Sequence, residues 1–365
     1  MKILLITGIY PPDIGGPATY IPELANYLTN QGHKVRILTL AENVKKSKDE
    51  LTHVIRVQRK MVKIPRMLIT IWKIIWTPSD YKIFANGLHE EVGLSLFLRN
   101  RYAIAKIVGD PVWERSRNKN VTSKSIKGFN ESRLPTQSYI ERVLLRYSLN
   151  RFQAITCPSE DLCKIVESWG VTKPIKFIAN GVLVRDAIPI SQKEYDLICV
   201  SRLVSWKNIK KHIEIASQLD LKIAIVGSGP EESELMALAK SLGCNATFFG
   251  ETSKIKIEEL LNSSKVFILL SEYEGLSFSL LEAMSFGLPA IVSDIEANSS
   301  VVRDEIDGLV INADNWQSSK LQILKLFSDE NYYKKISLNA QNQISKEFNA
   351  VTQFAKVENL LSNEQ

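Results

Sequence analysis

The chain has 365 residues, of which 45% are hydrophobic and 24% charged, with a formal net charge of +6. These proportions exclude a disordered chain, and no apolar run reaches the roughly 18 residues of a membrane-spanning helix. The length suits two domains better than one.

Charge and cysteine usage narrow the partners. Residues 1–190 hold 29 Lys and Arg against 16 Asp and Glu, while residues 191–365 hold 17 against 24. Residues 51–150 alone carry 18 against 7. The first half is therefore expected to meet something anionic: phosphate, a membrane surface or nucleic acid. Cys157, Cys163, Cys199 and Cys244 form no CxxC pair and read as small buried hydrophobes of a reducing compartment. Four scattered histidines give no metal cluster. The apolar start reads as a first strand, since it lacks a small-residue cleavage site.

Lys2 to Thr7 is that strand, followed by a loop from Gly8 to Ala18 containing Gly15 and Gly16. A helix from Thr19 to Asn30 and a strand from Lys34 to Leu40 complete a βαβ opening, which implies a parallel sheet. The glycines are not spaced as a dinucleotide fingerprint. They let the backbone approach a ligand closely, or serve a plain turn. Arg66 to Trp76 is apolar, with Trp72, Trp76 and nearby Lys60, Lys63, Arg66 and Lys73. It fits either a helix lying on a membrane surface or a buried helix leading to the strand Tyr81 to Ala85.

Ala103 to Val108 is a further strand, ending at Gly109-Asp110-Pro111. Trp113 to Gln137 is polar and basic with little periodicity and reads as a mobile loop. A helix from Ser138 to Phe152 and a strand from Ala154 to Cys157 follow, and Ser159 caps the next helix. Ile175 to Ala179 is the last strand of this half, and Arg185 to Glu194 is the expected linker.

The second half starts with the strand Leu197 to Ser201, which leads into Arg202 and Lys207. Two cations there suit an anionic ligand, or could form a solvated pair beside Lys210 and Lys211. Lys222 to Val226 ends in Gly227-Ser228-Gly229, and a short strand Thr247 to Gly250 precedes Glu251. Val266 to Leu270 is fit for a buried parallel strand. It opens into a loop, Ser271 to Ser277, and a helix, Phe278 to Phe286, where α/β proteins bind phosphates. Glu274 stands in the loop and Glu282 in the helix. Ser279-Leu280-Leu281-Glu282 also fits a capping box, which would leave Glu282 satisfying backbone donors. Trp316 to Glu347 reads as helical, as does Asn349 to Leu361.

Glu274, seven residues, then Glu282, within EGLSFSLLEAMSFGLPAIVSD, resembles the signature of retaining GT-B glycosyltransferases of family 4. YPPDIGGPATY, Asn180-Gly181-Val182, the Arg202 to Asn208 stretch and Asp307-Gly308 resemble further parts of that family. The resemblance implies an α/β GT-B fold: two Rossmann-like domains facing across a cleft, with a C-terminal helix crossing back to the first. The expected limits are 1–188 for the acceptor domain, 189–345 for the donor domain and 346–365 for that helix.

The resemblance also implies a nucleotide-diphosphate sugar as donor, a UDP-sugar rather than a GDP-sugar, and no metal or other cofactor. On the donor it places Gly15, Gly16, Arg202, Lys207, Gly227, Gly250, Glu251, Glu274, Gly275, Leu276, Ser277, Phe278 and Glu282. Glu274, Asp110, Arg202 and Lys207 are the catalytic candidates, with Glu282 on the ribose and Glu251 near the base. Tyr10, Asn86 and Asp110 are the acceptor candidates. Family members often carry a histidine where Asp110 stands. Asp110 either takes a hydrogen bond from an acceptor hydroxyl or caps the next turn.

The acceptor expected is a lipid-linked or cell-envelope glycan precursor. An anionic membrane surface is a candidate partner, and nucleic acid is not expected because interleaved aromatics are missing. The expected location is the cytoplasm, peripheral on the inner membrane face, held by the basic residues of 51–150 with Trp72, Trp76 and Trp113. The alternatives are a nucleotide-sugar hydrolase or epimerase on the same fold, or a noncatalytic sugar-nucleotide-binding scaffold.

Overall fold

The computed structural model describes residues 1–42, 53–184 and 193–362. They form two compact units, one of residues 1–179 with the chain from Gln353 onward, the other Asn180–Thr352. Most of the expected linker, at 185–192, lies outside the described residues.

The first unit is built on seven parallel strands. In chain order its elements are β1 (Lys2–Thr7), α1 (Gly16–Asn30), β2 (Lys34–Ala41), β3 (His53–Gln58), α2 (Lys63–Trp76), β4 (Tyr81–Asn86) and α3 (His89–Leu98). Then come β5 (Ala103–Lys106), α4 (Pro111–Asn118), α5 (Ile126–Glu131), α6 (Thr136–Leu149), β6 (Ala154–Cys157), α7 (Glu160–Ser168) and β7 (Ile175–Phe177). The strand order is β3-β2-β1-β4-β5-β6-β7. Helices cover both faces of such a sheet, so its strands read as continuous apolar runs, and Ile3 to Ile6 are wholly buried. The order reverses between β1 and β4, the switch point at which open α/β sheets bind ligands.

Tyr20 on α1 packs edge-on against Phe354, 5.4 Å between centroids. Phe354 belongs to the last helix, α15 (Ala350–Ser362). That helix is fixed further by Glu358, which accepts from Tyr27 at 2.9 Å and lies 2.7 Å from His33 Nε2.

The stretch expected as a mobile loop, Trp113 to Gln137, instead carries α4, α5 and the start of α6. Local chemistry explains the difference. Asp110 caps α4, with Pro111 in its first turn, and Ser125 caps α5. Trp113 and Phe129 are buried and anchor the two short helices. Trp113 is therefore withdrawn from the expected membrane-facing residues. Tertiary packing supplied what periodicity lacked.

The second unit has β8 (Tyr195–Val200), α8 (Ile209–Gln218), β9 (Ile223–Val226), α9 (Glu232–Ser241), β10 (Ala246–Phe248), α10 (Lys254–Asn262) and β11 (Ser264–Leu269). It continues with α11 (Phe278–Ser285), β12 (Ala290–Ser293), α12 (Glu296–Ser299), β13 (Gly308–Ile311), α13 (Lys320–Ser328) and α14 (Glu330–Glu347). Its six parallel strands run in the order β10-β9-β8-β11-β12-β13, with the switch point between β8 and β11. The single helix expected from Trp316 to Glu347 is a 3-10 turn and two helices, broken at Asp329, whose carboxylate caps α14. Cys157 and Cys199 are buried as expected, while Cys163 and Cys244 are half-buried, and all four are free thiols.

Candidate active site

In the second unit, the loops after β8 and β11 meet at the switch point. The first carries Arg202 and Lys207, the second Glu274. The amide of Glu272 donates to the Trp206 carbonyl at 2.8 Å and ties the loops together. Lys207 forms an ion pair with Glu274, and Ser271 Oγ donates to the same carboxylate oxygen at 2.6 Å. Glu274 is only 8% exposed. A buried carboxylate needs such partners to stay charged. Ser271 is itself held, since its carbonyl accepts from Ser293 Oγ at 2.6 Å and Asn298 Nδ2 donates to Ser293 Oγ at 3.0 Å. Glu274 is thus a loop residue that is both buried and paired.

The guanidinium of Arg202 lies over the Trp206 ring, 5.7 Å from its centroid. The backbone around Arg202 is pinned by glycine. Leu203 N donates to the Ser228 carbonyl at 2.9 Å, and Gly227 N donates to the Gly250 carbonyl at 2.8 Å. A Cβ at Gly227 would lie 2.0 Å from the Ser201 oxygen, and one at Gly229 would lie 2.2 Å from the Leu203 oxygen. Gly227 also has φ +126, a conformation that L side chains rarely adopt. Strand-end backbone packs here on strand-end backbone.

Gly275, Leu276 and Ser277 are buried, and the Leu276 carbonyl accepts from Asn180 Nδ2 at 2.9 Å. Ser277 caps α11 by accepting the Leu280 amide at 3.3 Å, and Phe278 is the helix's first residue. This overturns the capping-box reading of Glu282. The cap lies two residues before Ser279, so Glu282 falls in the fifth helical position, half-exposed. Gly250 turns with φ +61 before the exposed Glu251.

His212 on α8 has no counterpart in the sequence reading. It is wholly buried, and its Nε2 accepts the Leu270 amide at 2.9 Å just before the Glu274 loop. Burial, reinforced by the nearby Lys207 charge, pulls the imidazole down to about 3. The folded state holds it neutral, so the unfolded chain binds more protons once pH falls below the ordinary value near 6.5. Stability is therefore expected to fall by about 2 kcal/mol from pH 6.5 to pH 5 on this account. His212→Gln, whose side-chain oxygen can still accept the Leu270 amide, should remove that part of the slope. Urea midpoints at the two pH values check it, and an unchanged difference in the variant would contradict the assignment.

In the first unit, Gly15 precedes α1 with φ +140, and Gly16 and Pro17 open the helix. Tyr10 lies in the loop after β1, held where Asp13 Oδ2 accepts the Tyr10 amide at 3.2 Å and Arg59 pairs with Asp13. Asn86 ends β4, level with Thr7 and Thr39. Lys106, at the end of β5, pairs in register with Thr156 and completes a buried polar row. The Asn86 Oδ1 and Lys106 Nζ atoms have no hydrogen-bond partner among the described residues. Lys106 Nζ sits 4.5 Å over the Tyr20 ring, and burial lowers its ammonium to about 7.

Asp110 is wholly buried. Its Oδ1 accepts the Val112 and Trp113 amides, both at 3.0 Å, and its Oδ2 accepts from Arg142 at 2.6 Å and Asn130 at 3.0 Å. Four donors leave the carboxylate no face for an acceptor hydroxyl. The catalytic and acceptor-binding expectation for Asp110 gives way to its capping alternative. Among the described residues no group of three or more His, Cys, Asp or Glu could hold a metal ion.

Residues 183–343 match the glycosyl transferases group 1 family. This protein is a glycosyltransferase. Along its whole length it is 24% identical to an uncharacterized glycosyltransferase of Methanocaldococcus jannaschii, covering 99% of that protein. Over half of the chain it is 36% identical to the UDP-Gal:alpha-D-GlcNAc-diphosphoundecaprenol alpha-1,3-galactosyltransferase of Escherichia coli, covering 49% of that enzyme. Among solved structures, Anabaena HepE in complex with UDP and glucose superposes with TM-score 0.78 at 17% identity, covering 100% of both chains. That likeness shows the fold, and the glycosyltransferase adopts GT-B architecture with two Rossmann-like halves.

Proposed function

We propose that this glycosyltransferase is a retaining, family 4 enzyme that moves a sugar from a UDP-sugar to a lipid-linked or cell-envelope glycan precursor. The observation that carries the reading is the Lys207–Glu274 pair at the second unit's switch point, with Arg202 on the same loop as Lys207. Arg202 and Lys207 would offset the diphosphate and stabilise it as it leaves, supplying charge that a divalent ion supplies elsewhere. Glu274 would contact the donor sugar and hold charge at the reacting carbon. Glu282 would take ribose hydroxyls, Glu251 would lie near the base, and amides at the start of α11 would meet phosphate or sugar. Front-face substitution through an ion pair fits a site with one carboxylate at its centre. UDP as the nucleotide is supported by the names of the HepE complex and the galactosyltransferase, and the latter also supports a diphosphate-linked lipid acceptor. The acceptor would be held by first-unit loops that include Tyr10 and Asn86.

The reading places the enzyme in the cytoplasm, peripheral on an anionic membrane. Its support is the surplus of basic residues in 51–150 and the exposed Trp72 and Trp76 on α2. Arg202→Ala is expected to weaken UDP binding by roughly 1.5–3 kcal/mol while leaving uridine binding unchanged. Calorimetry with both ligands is the test, and an equal loss for both would separate Arg202 from the diphosphate.

A further inference from the structure

The first unit holds a cavity of about 560 Å³ that the proposed reaction does not use. It is walled by the α5–α6 connection, α6 and the end of α7, and its lining includes Asn130, Arg133, Tyr139, Arg142, Arg146 and Trp169. No carboxylate is among the described lining residues. Arg142 is 6% exposed and held rigidly, its guanidinium 4.2 Å over the Trp169 ring and its Nη2 shared between Asp110 and Asn130. Its Nη1 is buried with no partner among the described residues. Asp110 balances Arg142, so Arg133 and Arg146, both exposed, add positive charge that no ion pair among the described residues offsets. Planar guanidinium donors converging on a pocket without acids favour a phosphate group.

The surroundings say where that phosphate comes from. Tyr139, 59% exposed, both lines the cavity and begins an outward apolar stripe on α6 with Ile140, Leu144 and Tyr147. The Arg151 guanidinium lies over both Tyr147 and Phe97, which joins this stripe to the exposed Phe97 and Leu98 of α3. Arg99, just past α3, donates to the Ile75 carbonyl at 2.6 Å, beside the exposed Trp76 of α2. Leu68 and Trp72 extend the apolar surface along α2, a helix with no acidic residue and with Lys63, Arg66 and Lys73. Aromatic and aliphatic groups flanked by cations on adjoining helices suit the headgroup boundary of an anionic membrane.

We propose that the Arg133–Arg142–Arg146 cavity binds the phosphate of an anionic phospholipid headgroup while the outer face of α2, α3 and α6 rests on the bilayer. This rests on the peripheral-membrane part of the reading above. Dihexanoyl phosphatidylglycerol below its micelle concentration is the soluble probe, titrated by calorimetry beside inorganic phosphate. Saturable binding of the lipid is expected, weakened about tenfold or more in Arg133→Gln/Arg146→Gln, which alters exposed side chains only. Equal binding by the double variant and the parent overturns the site, as does the lack of saturable binding. Inorganic phosphate binding as tightly as the lipid overturns the headgroup assignment in favour of a soluble phosphate ligand. Sedimentation with phosphatidylglycerol vesicles tests the membrane reading separately, since α2 residues contribute there without the cavity. UDP binding by the double variant should equal the parent's, which keeps the donor site outside the outcome.

Discussion

Glu274→Gln should leave a folded protein whose turnover is reduced roughly 10²–10³-fold, the range for losing one preorganised electrostatic partner in a transition state. Glutamine keeps the shape, and its oxygen can still accept from Ser271 Oγ and Lys207. The loss of the negative charge is what changes, and on the proposed reading that charge matters most when the sugar carbon becomes electron-poor. The effect should therefore fall on kcat while KM for the donor changes little. Stability should drop by about 1–3 kcal/mol, because the Lys207 ammonium loses its ionic partner in a mostly buried setting. Steady-state kinetics with a UDP-sugar, beside a thermal melt, give both values. Turnover within a few-fold of the parent would remove Glu274 from the reacting centre.

Lys207→Met should have the larger effect on stability. It strands the Glu274 carboxylate, 8% exposed, with Ser271 as its remaining side-chain donor in this pair of loops. Breaking a buried pair by deleting one partner typically costs about 3–5 kcal/mol. Diphosphate binding should fall in the same variant. The double variant Lys207→Met/Glu274→Gln removes both charges, and so should regain much of the stability while remaining inactive. Denaturant unfolding of the four proteins closes this cycle. Additive losses in the double variant would show that the two side chains do not share their charge in the folded protein.

The alternation of strand, loop and helix was legible in the sequence because parallel strands buried on both faces are written as apolar runs, such as Leu197 to Val200 and Val266 to Leu269. Arg202, Lys207 and Glu274 could be singled out because cations and a carboxylate stand just past strand ends. Their arrangement could not. Lys207 and Glu274 are 67 positions apart, and only the β8–β11 adjacency makes them partners. His212 was hidden for a related reason: within α8 it keeps company with Ile209, Ile213 and Ala216, so its spacing reads as core. Asp110 was open to two readings until Arg142 and Asn130, 32 and 20 positions later, filled its second oxygen. The helices α4 and α5 escaped notice because each is short and buries only two or three residues, too few to write a repeating stripe.

The glycine contact beneath Arg202 bears on how this enzyme can diversify. Ser201 to Leu203 and Gly227 to Gly229 touch through backbone, with no volume left for a single methyl group. Mutational drift at either glycine would push the strand ends apart and carry Arg202 with them. Gly250 differs, for nothing among the described residues stands within 4 Å of where its side chain would grow. Its φ of +61 is one that asparagine or aspartate adopts at modest cost. Descendants of this sequence thus have a frozen corner at the Arg202 loop and an adjustable one beside Glu251. On the proposed reading, which sets Glu251 near the base, new nucleotide preferences should accumulate as substitutions at the latter, leaving the former unaltered.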